Sequence, residues 1–270
     1  MKFKCPVSLN VLSPMSMHNR EDFIDAVRTY CESLPEAMPE KWGWWEPLDK
    51  IFDPNEIDQL VPQQGKCETV YWRRHKSPKA EGSFSVRWHS KSPKVQDTHS
   101  NINLTLELGK VRQEALVSWL KTASVRARAD LALVDVLSDE YRDFAIESAS
   151  SQSGEWVHVV SHVLRHWLPD VFWGTVFGIP YVKLFGKDRL LNAPVAIAEE
   201  IGDDMVYIQL TDKISDALTA PEFVQDRRAN LKAHLGVDAF YEHGRGYDRL
   251  QCGPRGDVFV VPDFKLLNDE

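Results

Sequence analysis

Apolar and polar positions along the chain change period several times, and each change marks an element. Residues 2–12 alternate weakly and read as a first strand. From Arg20 the period becomes helical. Phe23, Ile24, Val27 and Tyr30 form a stripe on a helix running to Ser33, with Asn19 as its cap and Glu21 and Asp22 in the first turn, where the helix dipole favours acid. Pro35 and Pro39 end it. The run Lys41-Trp-Gly-Trp-Trp-Glu-Pro-Leu48 keeps neither period and reads as an aromatic loop, and a short helix with Pro54 at its first position is expected after Asp53. Residues 67–108 read as a β-meander of Cys67–His75, Gly82–His89 and Asn101–Leu108, separated by Ser-Pro-Lys turns at 77–79 and 92–94.

The second half mixes helices and strands. A helix from Lys110 to Arg126 carries Val111, Ala115, Leu116, Trp119 and Leu120 on one face, and Ala129–Leu137 reads as a buried strand. A helix from Ser138 to Ser148 precedes the linker Ser148–Gly154, the best hinge in the chain. A helix (155–166), a strand (170–177), two short helical pieces (180–192), strands at 195–199 and 204–210, and a helix from Pro221 to Leu235 follow. A last short strand is expected at Asp257–Pro262. The most patterned stretch is Trp167–Asp212, with turns at Gly178, Gly186 and Pro194. Strands grouped with strands predict an α+β fold, a mostly antiparallel, mixed sheet flanked by helices. We expect a single domain over 1–270, in which a hinge at 148–154 leaves open whether the halves share one sheet or form two lobes.

Composition narrows the functional classes. With 270 residues and 43% hydrophobic content, the chain is long enough to bury a substantial core. It has no run of eighteen apolar residues, so no membrane span is expected, and its start reads as a strand rather than a signal peptide. Cys5, Cys31, Cys67 and Cys252 form no Cys-x-x-Cys pair, which fits reduced thiols in a cytoplasmic protein. The net charge of −8 is uneven. Residues 1–110 balance 15 basic against 15 acidic groups, and the remaining 17 basic and 25 acidic groups supply the whole excess. Acid is densest from Glu199 to Glu222, whereas Lys66–Lys94 holds eight cations against Glu68 and Glu81. Such asymmetry steers charged partners.

Candidate chemistry is sparse. His158, His162 and His166 recur at helical spacing, but neighbouring imidazoles alone can share one ion, and the Glu that follows the first His in metalloprotease helices is missing. A solvated helix face explains them as well. Pro262-Asp-Phe-Lys265 resembles half of a nuclease motif with no room for the other half. The glycine loops at 244–246 and 253–256 precede no helix, and there is no Gly-x-Ser-x-Gly elbow. The hairpin at 66–94 mixes aromatics with cations as nucleic-acid surfaces do, yet lysines also guard exposed strands, and the chain as a whole is acidic. Trp42, Trp44 and Trp45 crowd one loop, where exposed rings would serve as protein anchors and buried rings as core.

Trp42-Gly-Trp-Trp-Glu-Pro-Leu48, Trp173-Gly174, Gly178-Ile-Pro-Tyr-Val-Lys-Leu-Phe-Gly186, Leu190-Leu191 and Ala193-Pro194 resemble the bacterial immunity proteins of polymorphic toxin systems. They are most similar to the group found beside restriction-endonuclease-like nuclease toxins, including those delivered by type VI secretion. Gln209-Leu-Thr-Asp212, Arg227-Arg228, Leu231-Lys-Ala-His-Leu-Gly236 and Asp238-Ala-Phe-Tyr241 agree with it. The resemblance covers most of 40–265 and is densest from 170 to 241. It implies a non-enzymatic cytoplasmic protein, without cofactor, that binds and blocks a cognate DNase. It would act as a monomer or small homo-oligomer and touch neither membrane nor nucleic acid. The candidate toxin contacts are Glu199, Glu200, Asp203, Asp204, Asp212 and Asp216 together with Trp42, Trp44 and Trp45. The alternatives are a metal-dependent hydrolase using His158, His162 and His166, and a nucleic-acid-binding module using 66–94.

Overall fold

The structure, a computed structural model, describes residues 3–63, 68–87, 99–137, 164 and 168–240. The expected helices at 138–148 and 155–166, the hinge at 148–154 and the strand at 257–262 lie outside them. The described strands are β1 (Pro6–Ser13), β2 (Lys41–Gly43), β3 (Lys50–Ile51), β4 (Thr69–Arg74), β5 (Ala80–Ser85), β6 (Ser100–Glu107), β7 (Leu131–Val136), β8 (Gly174–Phe177), β9 (Ile197–Ile201) and β10 (Met205–Gln209). They form one sheet in the order β3-β2-β4-β5-β6-β1-β7-β8-β10-β9. Every described strand pairing is antiparallel, and an isolated parallel bridge joins Leu168 to Phe240. The fold is α+β, and residues from both sides of 148–154 enter the same sheet.

The sheet is a middle layer between two cores. Because strand side chains alternate between faces, β1 sends Val7, Leu9 and Val11 to one core and Leu12 to the other. The first core lies beneath α1 (Arg20–Ser33) and α2 (Gln113–Arg126), which contribute Phe23, Val27 and Tyr30 and then Leu116, Trp119 and Leu120. The second lies beneath α3 (Ile179–Phe185), α4 (Lys187–Leu191) and α6 (Pro221–Leu235). A one-turn helix α5 (Asp216–Thr219) precedes α6. The cap of α1 is as the sequence demands: Asn19 Oδ1 accepts the Asp22 N–H at 2.8 Å. Burial on both faces explains why β1 alternates only weakly.

Several elements differ from expectation, among them the unforeseen β3 and α5. Lys41–Gly43 is a strand, because Trp42 pairs with Trp72 across β4 and turns its ring into the first core. No helix starts at Pro54. Asp53 Oδ1 accepts both the backbone and side-chain N–H of Asn55, at 2.8 and 3.0 Å, and this local turn delays helical structure to a single 3-10 turn at Ile57–Leu60. The strand expected at 170–177 begins only at Gly174, since the preceding segment is pinned by side chains. Gly178, foreseen as a turn, closes on β7 so tightly that a Cβ would stand 1.9 Å from the Ala129 carbonyl oxygen.

A buried charge pair makes that pin. Asp135 of β7 accepts Arg228 Nη2 of α6 at 2.6 Å, the Trp173 N–H at 3.0 Å and the Val136 N–H at 2.8 Å. Arg228 Nη1 donates to the Val171 carbonyl. Burial pushes the Asp135 carboxyl above its ordinary pKa, against the opposing pull of Arg228 and the two backbone donors. Removing one member of a buried pair strands the other. Arg228→Leu should therefore cost about 3–5 kcal/mol in urea unfolding, and adding Asp135→Leu should recover part of that loss rather than double it.

Candidate protein interaction surface

The six acidic candidates do not form one surface. Glu199 and Glu200 are neighbours on the edge strand β9 and so point to opposite faces. Glu199 pairs with Lys121 of α2, whose Nζ also sits 4.3 Å from the Tyr207 ring. Glu200 pairs with Lys187 of α4, which also lies 3.8 Å from Asp204. Asp203 and Asp204 occupy the β9–β10 turn, where Gly202 and Asp204 both adopt positive φ (53° and 56°). Aspartate tolerates that conformation, which supplies a local reason for its presence. Asp212 and Asp216 lie beyond the far end of β10, roughly 25 Å of strand away from Asp204. Asp203, Asp212 and Asp216 make no ion pair among the described residues.

The tryptophans also separate. Trp42 is only 2% exposed and belongs to the core, which removes it from any contact surface. Trp44 is half-buried and stands edge-on to Trp42 with ring centroids 6.1 Å apart. Lys50 Nζ lies 4.3 Å from the Trp42 ring and 4.4 Å from that of Trp44, so one ammonium holds both π faces. Only Trp45 projects outward, at 69% exposure, on the same edge of the sheet as the exposed Ile51 and Tyr71.

The cations of the β4–β5 hairpin are largely engaged. Arg73 binds Glu46 at 2.9 Å and Glu81 at 3.3 Å. Glu40 accepts the N–H groups of His75 (2.8 Å) and Lys76 (3.3 Å), with the Lys76 ammonium at 3.4 Å. Desolvation works to raise the Glu40 pKa, but these donors outweigh it and hold the carboxyl below its usual value. Residues 66–67 and 88–94 of the candidate nucleic-acid surface lie outside the described residues, as do His158, His162 and His166. Among the described residues no group of three or more His, Cys, Asp or Glu is placed to hold a metal ion, and no helix is long and apolar enough to cross a membrane. A cavity between α1 and α2, lined by Met17, Thr29, Ile102 and Arg126 among others, measures about 30 Å³, room for one water. Cys5 and Cys31 are free, and burial, reinforced by the Glu32 charge, pushes the Cys31 thiol up to about 12.

Two features escaped the sequence reading. The Asp135–Arg228 pair was signalled by a lone carboxylate in the apolar run Leu131-Ala-Leu-Val-Asp-Val136. The second is an exposed corner at α5–α6, where Leu218 and Phe223 are 41% and 46% exposed. Phe223 falls off the buried stripe Val224, Arg228, Leu231 and Leu235, a displacement visible in the helical period.

No family model matches the sequence, and no curated protein matches it. The fold is similar to that of one solved protein. The chain superposes on the Pseudomonas aeruginosa T6SS protein PA0821 with a TM-score of 0.55, over 84% of this chain and 76% of that one, at 11% identity. At that identity the likeness is one of fold.

Glu40 generates a pH signature. A depressed carboxylate pKa adds stability that is complete above the unfolded-state value and is lost as pH falls through the folded one. Thermal melts between pH 6 and about pH 3 should show the wild type losing stability more steeply than Glu40→Gln, whose melting temperature starts lower.

Proposed function

We propose that this chain is an immunity protein that binds and neutralises a cognate antibacterial nuclease in the cytoplasm, protecting the producing cell and its kin. The observation that carries the reading is the fold shared with a T6SS protein over most of both chains. It is supported by the resemblance of the glycine, proline and aromatic positions between 42 and 241 to immunity proteins paired with nuclease toxins.

The physical character of the chain agrees. The charges on the hairpin and on β9 are tied into the fold by partners on neighbouring elements, as suits a rigid binding body. Its net charge of −8 suits a partner whose own surface must attract phosphates. The protein works by occupying a surface, so its residues need to be rigid and complementary rather than reactive.

The test is association with the product of the adjacent open reading frame. A catalytically inactivated form of that nuclease, mixed with this chain, should co-elute in size-exclusion chromatography and give saturable binding by calorimetry. Two independent elution peaks with no heat of binding would remove the reading.

A further inference from the structure

Resting on the immunity reading, we infer that the corner formed by α5 and the first turns of α6 is the contact surface for the DNA-binding groove of the nuclease. The chain crosses here from one face of the sheet to the other. Ile214 and Ala217 are buried in the core under α1 and α2, whereas Val224 belongs to the core under α6. Between them runs a ridge in which Leu218, Thr219, Pro221, Glu222 and Phe223 are exposed. Leu218 and Phe223 leave large apolar side chains in water on a short, well-braced turn: Ala220 N–H bonds Asp216 O at 2.8 Å and Val224 N–H bonds Ala220 O at 3.2 Å. The Arg227 guanidinium lies 5.0 Å from the Phe223 ring centroid and donates to the Pro194 carbonyl at 3.4 Å, which holds the ring in place. Rigid exposed apolar groups within a charged rim have the anatomy of a binding hot spot.

Charge identifies the occupant. Asp212, Asp216, Glu222 and Asp226 flank the ridge in sequence and outnumber its cations, Lys213 and Arg227, and none of the four is ion-paired among the described residues. The glutamates of β9 differ in this respect, since Lys121 and Lys187 already neutralise them. An apolar ridge with an unneutralised acidic rim complements a groove built of cations for a phosphate backbone. The rim carboxylates take the places of phosphates while Leu218 and Phe223 pack between them.

The experiment measures affinity for the inactivated nuclease by calorimetry and association rate by stopped flow at two salt concentrations. Phe223→Ala and Leu218→Ala should each weaken binding about thirtyfold or more. The paired reversal Glu222→Lys with Asp226→Lys should slow association at least about tenfold at low salt, with a smaller effect at high salt. Glu199→Gln and Glu200→Gln should bind within about twofold of wild type. Short duplex DNA should displace wild-type protein from the nuclease. All of these positions are exposed, and unchanged circular dichroism melts would separate lost contact from lost fold. Wild-type binding left intact in the Leu218, Phe223 and reversal variants overturns the surface and leaves the immunity reading standing. Affinity that depends on Trp45 instead also overturns it, as does a Phe223-dependent self-association without any change in nuclease affinity. Absence of wild-type binding overturns both proposals together.

Discussion

The Asp135 carboxylate is the joint on which the second half of the molecule hangs. One side chain on a central strand holds the backbone of Trp173, where the chain enters β8, and the guanidinium of Arg228 on α6, whose buried face shares a core with β8 and β10. Arg228 in turn holds the Val171 carbonyl. Strand, entry segment and helix are therefore referred to a single charge. An isolated buried carboxylate would be costly, and the structure compensates with a guanidinium and two backbone donors. Apolar packing alone would allow α6 to slide along the sheet. A directional charge pair fixes its register, and with it the position of Phe223 one residue before the buried Val224.

The same logic governs the surface. Cations and carboxylates of the described hairpin and of β9 are joined across elements: Glu40 ties the β4–β5 tip to the residue before β2, Lys121 ties α2 to β9, and Lys187 ties α4 to β9. Individually such exposed pairs contribute little, at most about 1 kcal/mol each. Their effect on recognition is larger, because a charge already answered within the fold is a weak attractor for a partner. The acidity of the second half thus divides into a neutralised part on β9 and an unneutralised part around α5 and α6.

Much of this fold was legible in the sequence. Asn19, followed by Glu21 and Asp22 and a helical stripe, marks α1 to the residue, and Pro221 does the same for α6. Gly178 and Gly186 bracket α3 as expected, and β4, β5 and β6 overlap the three strands read from the alternation between 67 and 108. Strand order was not legible, because the insertion of β1 between β6 and β7 is set by long-range pairing that local periodicity does not encode. The aromatic run at 42–45 misled for a related reason. Only the pairing of Trp42 with Trp72 decides that one ring goes inward while Trp45 stays in water. The acidic segment was recognised as charged, but its division between two faces and two ends of the sheet depends on strand alternation and on lysines from distant helices. Asp135 and Arg228 stand 93 residues apart, and nothing local connects them.

The activity proposed for this protein is stoichiometric occlusion of a nuclease. It is tested most directly by titrating the active toxin from the adjacent reading frame with this chain and following cleavage of duplex DNA. The cleavage rate should fall linearly and reach zero near one equivalent. Cleavage that continues undiminished at a large molar excess would contradict it.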